Sequence, residues 1–138
     1  MATLTDVTTR PSSGLTHIDA LLDRGPGWNW IAPSRTVLFF TFDTSAVDPN
    51  RASEVTGGVT AFNAAQQTAV VSALALVSAI TGITFTQTAQ AGQADLHFAA
   101  ANLTTPASAG LASGSTSYSI SGPNIGSYTA DARVYLDN

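Results

Sequence analysis

The segment that most limits the fold of this chain is a long apolar stretch at residues 63–81, bounded by residues that begin and end helices. Asn63 has a side chain that can accept a hydrogen bond from a free backbone N–H at a helix start. Gly82 stands where helices end in a left-handed residue. The apolar residues between them recur on one helical stripe: Val70, Ala73, Leu74, Val77 and Ile80. The pattern predicts a helix about 28 Å long with one buried face.

Segments typical of β-strands lie on both sides of this helix. Residues 36–42 are β-branched and aromatic at successive positions, which predicts a central strand covered on both faces. Residues 83–88 alternate between apolar and polar side chains, as a half-covered strand does. A strand, a helix and a second strand in this order predict parallel pairing with a right-handed crossover. Two further strands are predicted at 94–99 and 131–136.

The whole pattern predicts a mixed α/β domain of the α+β class, with a twisted, mostly parallel sheet of about five strands and a long backing helix. We expect a flexible lead-in at 1–14 and a folded domain at 15–138. Residues 43–58 are predicted to form a loop, with Asp48-Pro49-Asn50 as its turn. Residues 100–129 are rich in Ser, Thr and Gly and carry little pattern.

The composition argues against several classes of function. Only 10% of the residues are charged, the net charge is −4, and all five basic residues are Arg. Since there is no basic patch, binding to nucleic acid is not expected. The absence of cysteine excludes disulfides, thiolate metal sites and a cysteine nucleophile. We expect no membrane span, because no uninterrupted apolar run reaches about 18 residues, and the N-terminus lacks the pattern of an ordinary signal peptide.

The residue types that carry chemistry are scattered along the chain. His17 and His97 are far apart, so they do not form the helical pair that places two imidazoles on one metal. Each is interpreted as a surface or second-layer histidine. Asp19 and Asp23 lie one helical turn apart, as a general acid and base do, but the exposed face of a short helix explains them equally well. Asp48-Pro49-Asn50 has calcium-binding residue types, but a turn accounts for all three. From residues alone, the sequence predicts no complete active site.

Five sets of segments follow one another in an informative order. They are Asp19-Ala20-Leu21-Leu22 with Gly27-Trp28-Asn29-Trp30; Phe40-Thr41-Phe42; Phe62-Asn63-Ala64-Ala65-Gln66-Gln67 with Ile83-Thr84-Phe85-Thr86; Ala94-Asp95-Leu96-His97-Phe98-Ala99; and Asp131-Ala132-Arg133-Val134-Tyr135-Leu136-Asp137-Asn138. In this order they resemble the opening segment, the first strand, the backing helix with the second strand, the third strand and the fifth strand of the catalytic domain of serralysin-type zinc proteases, which are metzincins. The resemblance spans residues 15–138 and implies the N-terminal subdomain of that zincin-like fold.

The resemblance implies a mode of substrate binding. In that family the sheet lies above the active-site cleft, and an antiparallel edge strand, the fourth, binds the substrate backbone as an added strand. By position, the corresponding residues here are Ala109, Gly110, Leu111, Ala112 and Ser113. The implied partner is a polypeptide substrate in an extended conformation.

The resemblance also implies what this chain does not supply. The family's next element is a helix with a His-Glu-x-x-His motif followed by a third His, which together hold zinc while the Glu activates water. This chain stops before that helix and contains no such motif, so neither catalytic residues nor metal ligands are expected in it. Zinc is expected for the complete family domain and calcium for C-terminal repeats, and neither ion is expected to bind this chain.

We therefore expect the scaffold and substrate-cleft part of a secreted, extracellular zinc endopeptidase of the kind that bacteria export without an N-terminal signal peptide. Such a part is not catalytic by itself, and a companion chain carrying the zinc helix is a further expected partner. The alternative is a non-catalytic extracellular domain that uses the same scaffold for peptide binding or adhesion. The two hypotheses differ in whether bound peptide is cleaved once zinc and the missing helix are supplied.

Overall fold

The structure is a computed structural model, and it describes residues 3, 14, 36–43, 47–48, 51–104 and 109–138. The chain divides into two compact units, one made of Thr36–Ser115 with Asp131–Asn138 and the other of Met1–Arg35 with Thr116–Ala130. Apart from Thr3 and Gly14, the predicted lead-in and the segment that follows it to residue 35 lie outside the described residues. The lead-in therefore stays a prediction.

The described residues form one long helix, six strands and a short 3-10 helix at Ala91–Gln93. In chain order the strands and the helix are β1 (Val37–Thr41), β2 (Val55–Thr60), α1 (Ala64–Thr81), β3 (Thr84–Gln87), β4 (Leu96–Leu103), β5 (Gly110–Ser121) and β6 (Asn124–Asp137). The predicted α+β class is confirmed at this level, since a mixed sheet and one long helix make up the described part of the chain.

The strands join into a sheet with the order β3-β1-β4-β6-β5, and β2 pairs with β4 beside this path. β1 is parallel to both β3 and β4, and β4 is parallel to β6. β5 and β6 are consecutive strands joined by Gly122 and Pro123. Gly122 has φ 60, and Pro123 cannot adopt a positive φ, which is the residue order of a type II′ hairpin turn. β5 therefore runs antiparallel to β6 at the end of the sheet order.

The predicted strand–helix–strand crossover is confirmed. β1 and β3, which precede and follow α1 in the chain, are parallel neighbours, with Val37 opposite Thr84 and Phe40 opposite Gln87. The predicted third strand joins them, because Phe40 at the end of β1 lies opposite Leu96 at the start of β4.

The loop predicted at 43–58 is wrong in its last part, because Val55–Thr60 forms β2. This strand is antiparallel to β4, with Val55 opposite Leu103 and an irregular register around Gly57. Gly57 and Gly58 have φ values of 131 and 60, which residues with a side chain rarely adopt. Adjacent glycines interrupt any local strand pattern, whereas pairing with β4, which is distant in the chain, stabilises β2.

Both ends of α1 follow the sequence prediction. The Asn63 side chain accepts a hydrogen bond of 3.0 Å from the Gln66 N–H, and the Gln66 side chain accepts one of 2.8 Å from the Asn63 N–H. This reciprocal pair is a capping box. At the other end, Gly82 has φ 74, and its N–H donates to the Ser78 carbonyl. The helix therefore begins and ends where its terminal backbone groups have partners.

The predicted buried stripe of α1 is partly wrong. Val70 and Leu74 pack against the sheet, but Val77 and Ile80 are 41% and 76% exposed, and no residue of the helix is fully buried. Ser78 is half-buried, so the side that faces the sheet runs through Val70, Leu74 and Ser78. The apolar residues of α1 surround more than half of the helix, and their spacing alone does not specify which of them meet the sheet.

The two faces of the sheet bury separate apolar clusters in the unit that contains α1. On the face under the helix, the buried residues are Phe40, Phe62, Phe98 and Ala100. The rings of Phe40 and Phe98 meet edge to face, with their centroids 6.3 Å apart. On the other face, the buried residues are Val55, Ala99, Ala101 and Tyr135. Each fully buried large side chain contributes about 2 kcal/mol from the area it removes from water.

The described residues of the other unit are mainly the β5–β6 hairpin from Thr116 to Ala130. The sequence of this segment shows little hydrophobic pattern. Ile125 and Tyr128 are its largest fully buried side chains. The ring of Tyr128 stacks on Tyr118 with the centroids 6.5 Å apart. Strand formation here depends on cross-strand pairs of small, polar and aromatic residues, which leave no simple hydrophobic alternation in the sequence.

Candidate peptide-binding edge

The predicted substrate-binding segment coincides with the start of a strand at the end of the sheet. Of the five predicted residues, Gly110 to Ser113 lie in β5, and Ala109 directly precedes it. The Ala109 carbonyl accepts a hydrogen bond of 3.2 Å from the Asp137 N–H at the end of β6. β5 extends to Ser121, so the strand is longer than the predicted segment.

The backbone of β5 presents hydrogen-bonding groups on the side away from β6. Backbone groups in an antiparallel pair alternate in direction along each strand. Because Ala109 bonds to β6, the N–H and C=O groups of Gly110, Ala112 and Gly114 point away from it. Within the described ranges, no strand pairs with that side of β5. An extended peptide laid along it would find the backbone partners that a neighbouring strand provides.

Side chains along this part of β5 are small on one face and packed on the other. Gly110, Ala112 and Gly114 are exposed, whereas Leu111 and Ser113 are half-buried. A methyl group at Gly110 would lie 2.8 Å from the Tyr135 carbonyl oxygen, so only glycine fits there. A methyl group at Gly114 would lie 3.6 Å from its nearest neighbouring atom, which is an ordinary contact.

The side chain of Ser113 is bonded inward and does not face the peptide edge. Its hydroxyl donates a hydrogen bond of 2.6 Å to Asp48 Oδ2. The Asp48 N–H in turn donates to the hydroxyl of Tyr135 at 3.0 Å, and both Asp48 and Tyr135 are buried. The turn interpretation of Asp48 agrees with these bonds, and its carbonyl accepts from the Arg51 N–H. Pro49 and Asn50 lie outside the described residues.

A buried histidine lies on the same face of the sheet, between two carboxylates. His97 Nδ1 is 3.3 Å from Asp43 Oδ1, and His97 Nε2 is 3.4 Å from Asp131 Oδ2. Arg133 Nε lies 3.5 Å from the other oxygen of Asp131. Of the two interpretations of His97, a surface or a second-layer histidine, the surface one is wrong, since only 6% of the residue is exposed. Its contacts link the end of β1 to β4 and β6.

The geometry around His97 does not make a metal site. The two ring nitrogens of an imidazole point in different directions, so Asp43 and Asp131 lie on separate sides of the ring and do not converge on one point. Throughout the part of the chain that the structure describes, no group of three His, Cys, Asp or Glu side chains could hold a metal ion. His17, Asp19 and Asp23 lie outside the described residues.

Asp95 is a structural carboxylate that sequence reasoning missed. It is 5% exposed, and its Oδ2 accepts a hydrogen bond of 2.7 Å from the Phe39 N–H. Its own N–H donates to the Phe39 carbonyl at 2.7 Å, and its carbonyl accepts from the Ala132 N–H at 2.8 Å. Asp95 therefore connects β1, β4 and β6 where the three strands meet. A single acidic residue at the second position of the strand predicted at 94–99 is the only signal of this role in the sequence.

Comparisons with known proteins found no match to a family model, to a curated protein or to a solved structure.

Proposed function

We propose that this chain is the scaffold and substrate-cleft part of a secreted, serralysin-like zinc endopeptidase, in which β5 binds an extended polypeptide as an added strand. The observation that carries the proposal is the position of β5, which ends the sheet order beside β6 and has no described strand on its other side. The α1 crossover between β1 and β3 agrees with the zincin-like subdomain that the sequence resembles.

Binding through β5 would depend on backbone hydrogen bonds, so peptides of many sequences would bind. The residues from Phe98 to Ala130 include no charged side chain, so β5 itself does not select peptides by charge. Gly110, Ala112 and Gly114 leave the neighbouring surface open to side chains of different sizes. Broad acceptance of extended chains is compatible with the cleft of an endopeptidase that cleaves many sequences.

The described residues do not fit zinc, so this chain's own contribution would be to bind and orient the substrate. His97 is bonded between two carboxylates, and no three suitable ligands converge in the described part. Under this proposal, the zinc ligands and the general base come from a companion chain that carries the zinc helix.

The first experiment measures the binding of a fluorescent, unstructured peptide by anisotropy. Ala112→Pro removes an outward N–H from β5 while leaving the bonds to β6, since proline is tolerated where an edge N–H faces solvent. We expect it to weaken binding about tenfold, from the loss of one backbone hydrogen bond and from local crowding. Ala112→Ser keeps the N–H and is the matched control, with binding unchanged. Equal binding by the wild type and Ala112→Pro would contradict the proposal.

A second experiment separates the protease part from a domain that only binds peptides. The chain is mixed with zinc and a synthetic helix that carries His-Glu-x-x-His and the third His, and the cleavage of casein is followed with and without a chelator. Chelator-sensitive cleavage that Ala112→Pro slows supports the endopeptidase proposal. Peptide binding without cleavage, when the helix demonstrably associates, favours the extracellular binding or adhesion domain instead.

A further inference from the structure

Helix α1 has an exposed apolar side that the rest of the described protein does not cover. Four residues at i, i+4, i+7 and i+11 lie on it in one narrow line, which we call the α1 stripe: Ala69, Ala73, Leu76 and Ile80. All four are exposed, Leu76 by 64% and Ile80 by 76%. Alternating spacings of four and three residues are those of the contact line in a helix pair. The stripe is separate from the side of α1 that packs on the sheet through Val70 and Leu74.

The side-chain sizes along the α1 stripe are complementary to those of a second α1 stripe that runs in the opposite direction. Its first two residues are alanines, and its last two are large aliphatic residues. In an antiparallel pair of two such helices, Ala69 of one copy would face Ile80 of the other, and Ala73 would face Leu76. Each large side chain then meets a small one at every level, as close packing requires. A parallel pair would place Ile80 against Ile80 and leave a gap between the alanines.

The charge distribution permits a second copy as the occupant of the α1 stripe. The chain has a net charge of −4, so two copies repel one another over most of their surfaces. Between Glu54 and Asp95, however, the sequence contains no charged residue and no histidine. Contact through α1 therefore brings no like charges together. We propose that two copies of this chain associate through an antiparallel pair of α1 helices along the α1 stripe.

A lipid bilayer is the competing occupant of the same side. By length and composition, α1 is the one described helix that could cross a membrane, with a mean hydropathy of 1.4. To do so it would have to leave the cluster formed with Phe40 and Phe98, to which Val70 and Leu74 contribute. The size complementarity of the stripe has no role in lipid. The experiment therefore includes vesicles.

The first test is sedimentation equilibrium of the full chain over a range of concentrations. We expect a monomer–dimer equilibrium that Leu76→Ser and Ile80→Ser each weaken by at least about tenfold, since both copies lose a buried aliphatic side chain. The matched control is Val71→Ser, which changes a 46% exposed aliphatic residue of the same helix outside the stripe. A wild-type chain that stays monomeric overturns the proposal, as does equal weakening by Val71→Ser. Binding to phosphatidylcholine vesicles by a monomeric chain would assign the stripe to lipid instead.

The second test determines how the two helices are oriented relative to one another. Because the natural chain contains no cysteine, only the introduced thiols can be cross-linked. Ala69→Cys and Ile80→Cys are prepared as separate variants and treated with a short thiol cross-linker, alone and mixed. The antiparallel pair predicts cross-linking in the mixture, between the two different variants, and little in either variant alone. Val71→Cys should not cross-link in any combination. Efficient cross-linking of Ala69→Cys to itself would overturn the antiparallel arrangement.

Discussion

The hydroxyl of Ser113, on the candidate peptide-binding strand, donates a 2.6 Å hydrogen bond to the carboxylate of buried Asp48. The two residues are 65 positions apart, so the bond fastens the segment after β1 to β5. It leaves the outward backbone groups of β5 untouched. Stability and peptide binding should therefore respond separately to changes at Ser113.

Replacing Ser113 by alanine should destabilise the fold by about 1–3 kcal/mol, because a buried carboxylate loses a charge-assisted hydrogen bond. Urea unfolding followed by circular dichroism measures the change. Ser115→Ala, on the same strand at an exposed position, is the control and should stay within about 0.5 kcal/mol of the wild type. Peptide affinity under native conditions should be the same in all three proteins. A stable Ser113→Ala variant would show that the Asp48 bond adds little.

Asp95 gives a second test of how the strands are held. Asp95→Ala removes the acceptor for the Phe39 N–H and should cost about 2–3 kcal/mol in the free energy of unfolding. Asp95→Asn keeps an oxygen acceptor and should recover part of that loss. If Asn and Ala were equally destabilising, the ionic character of the carboxylate, and not its acceptor oxygen, would account for the stabilisation.

The elements that could be predicted from the sequence are those whose determinants are local. Asn63 and Gly82 act on neighbouring backbone groups, so the ends of α1 follow from residues next to them. The β-branched and aromatic run of β1 likewise favours a strand whatever its neighbours. β2 and most of the β5–β6 hairpin are Gly-, Ser- and Thr-rich, and they become strands through pairing with partners that local patterns do not reveal.

The candidate site shows the same division. The position of the edge strand could be predicted from segment order, because β5 lies between the predicted third and last strands in the chain. The side-chain contacts of the residues that pack beside β5 could not be predicted. His97 is 54 residues from Asp43 in the chain, and their contact depends on the register that sets β1 beside β4. The exposed side of α1 was also unpredictable, since apolar spacing marks several sides of this helix at once.

A matched pair of glycine substitutions tests the packing of β5 on β6. Gly110→Ala would place a methyl group 2.8 Å from the Tyr135 carbonyl oxygen, so the strands must move apart, at a cost of about 1–3 kcal/mol. Gly114→Ala has 3.6 Å of clearance and should be neutral or slightly stabilising. Thermal unfolding of both variants measures the difference. Equal melting temperatures would contradict the close approach at Gly110.

The helix cap predicts a graded response at Asn63. Asn63→Ala removes the acceptor for the Gln66 N–H and should reduce stability by about 1 kcal/mol. Asn63→Ser keeps a capping oxygen, so its loss of stability should be only a few tenths of the loss in Asn63→Ala. Chemical denaturation followed by far-ultraviolet circular dichroism compares the variants. A loss in Asn63→Ser as large as that in Asn63→Ala would mean that the side chain stabilises the fold by other contacts.

Tyr128 predicts how stability changes at alkaline pH. Burial raises the pKa of the Tyr128 phenol, although a hydrogen bond with Thr116 acts in the opposite direction. A raised pKa in the folded state means that the neutral phenol is favoured by folding. This contribution is fully present below the ordinary tyrosine pKa of about 10 and is lost as the pH rises from there through the raised value.

Tyr128→Phe cannot ionise, so its stability should fall less steeply than that of the wild type above pH about 10. At neutral pH the variant should be less stable by about 1 kcal/mol, because it loses the bond with Thr116. Tyr118→Phe, on the exposed partner of the stacked pair, is the matched control for the loss of a tyrosine hydroxyl. Urea unfolding at several values from pH 8 to about 11 measures the slopes. Parallel slopes for Tyr128→Phe and the wild type would show that ionisation of this phenol does not oppose folding.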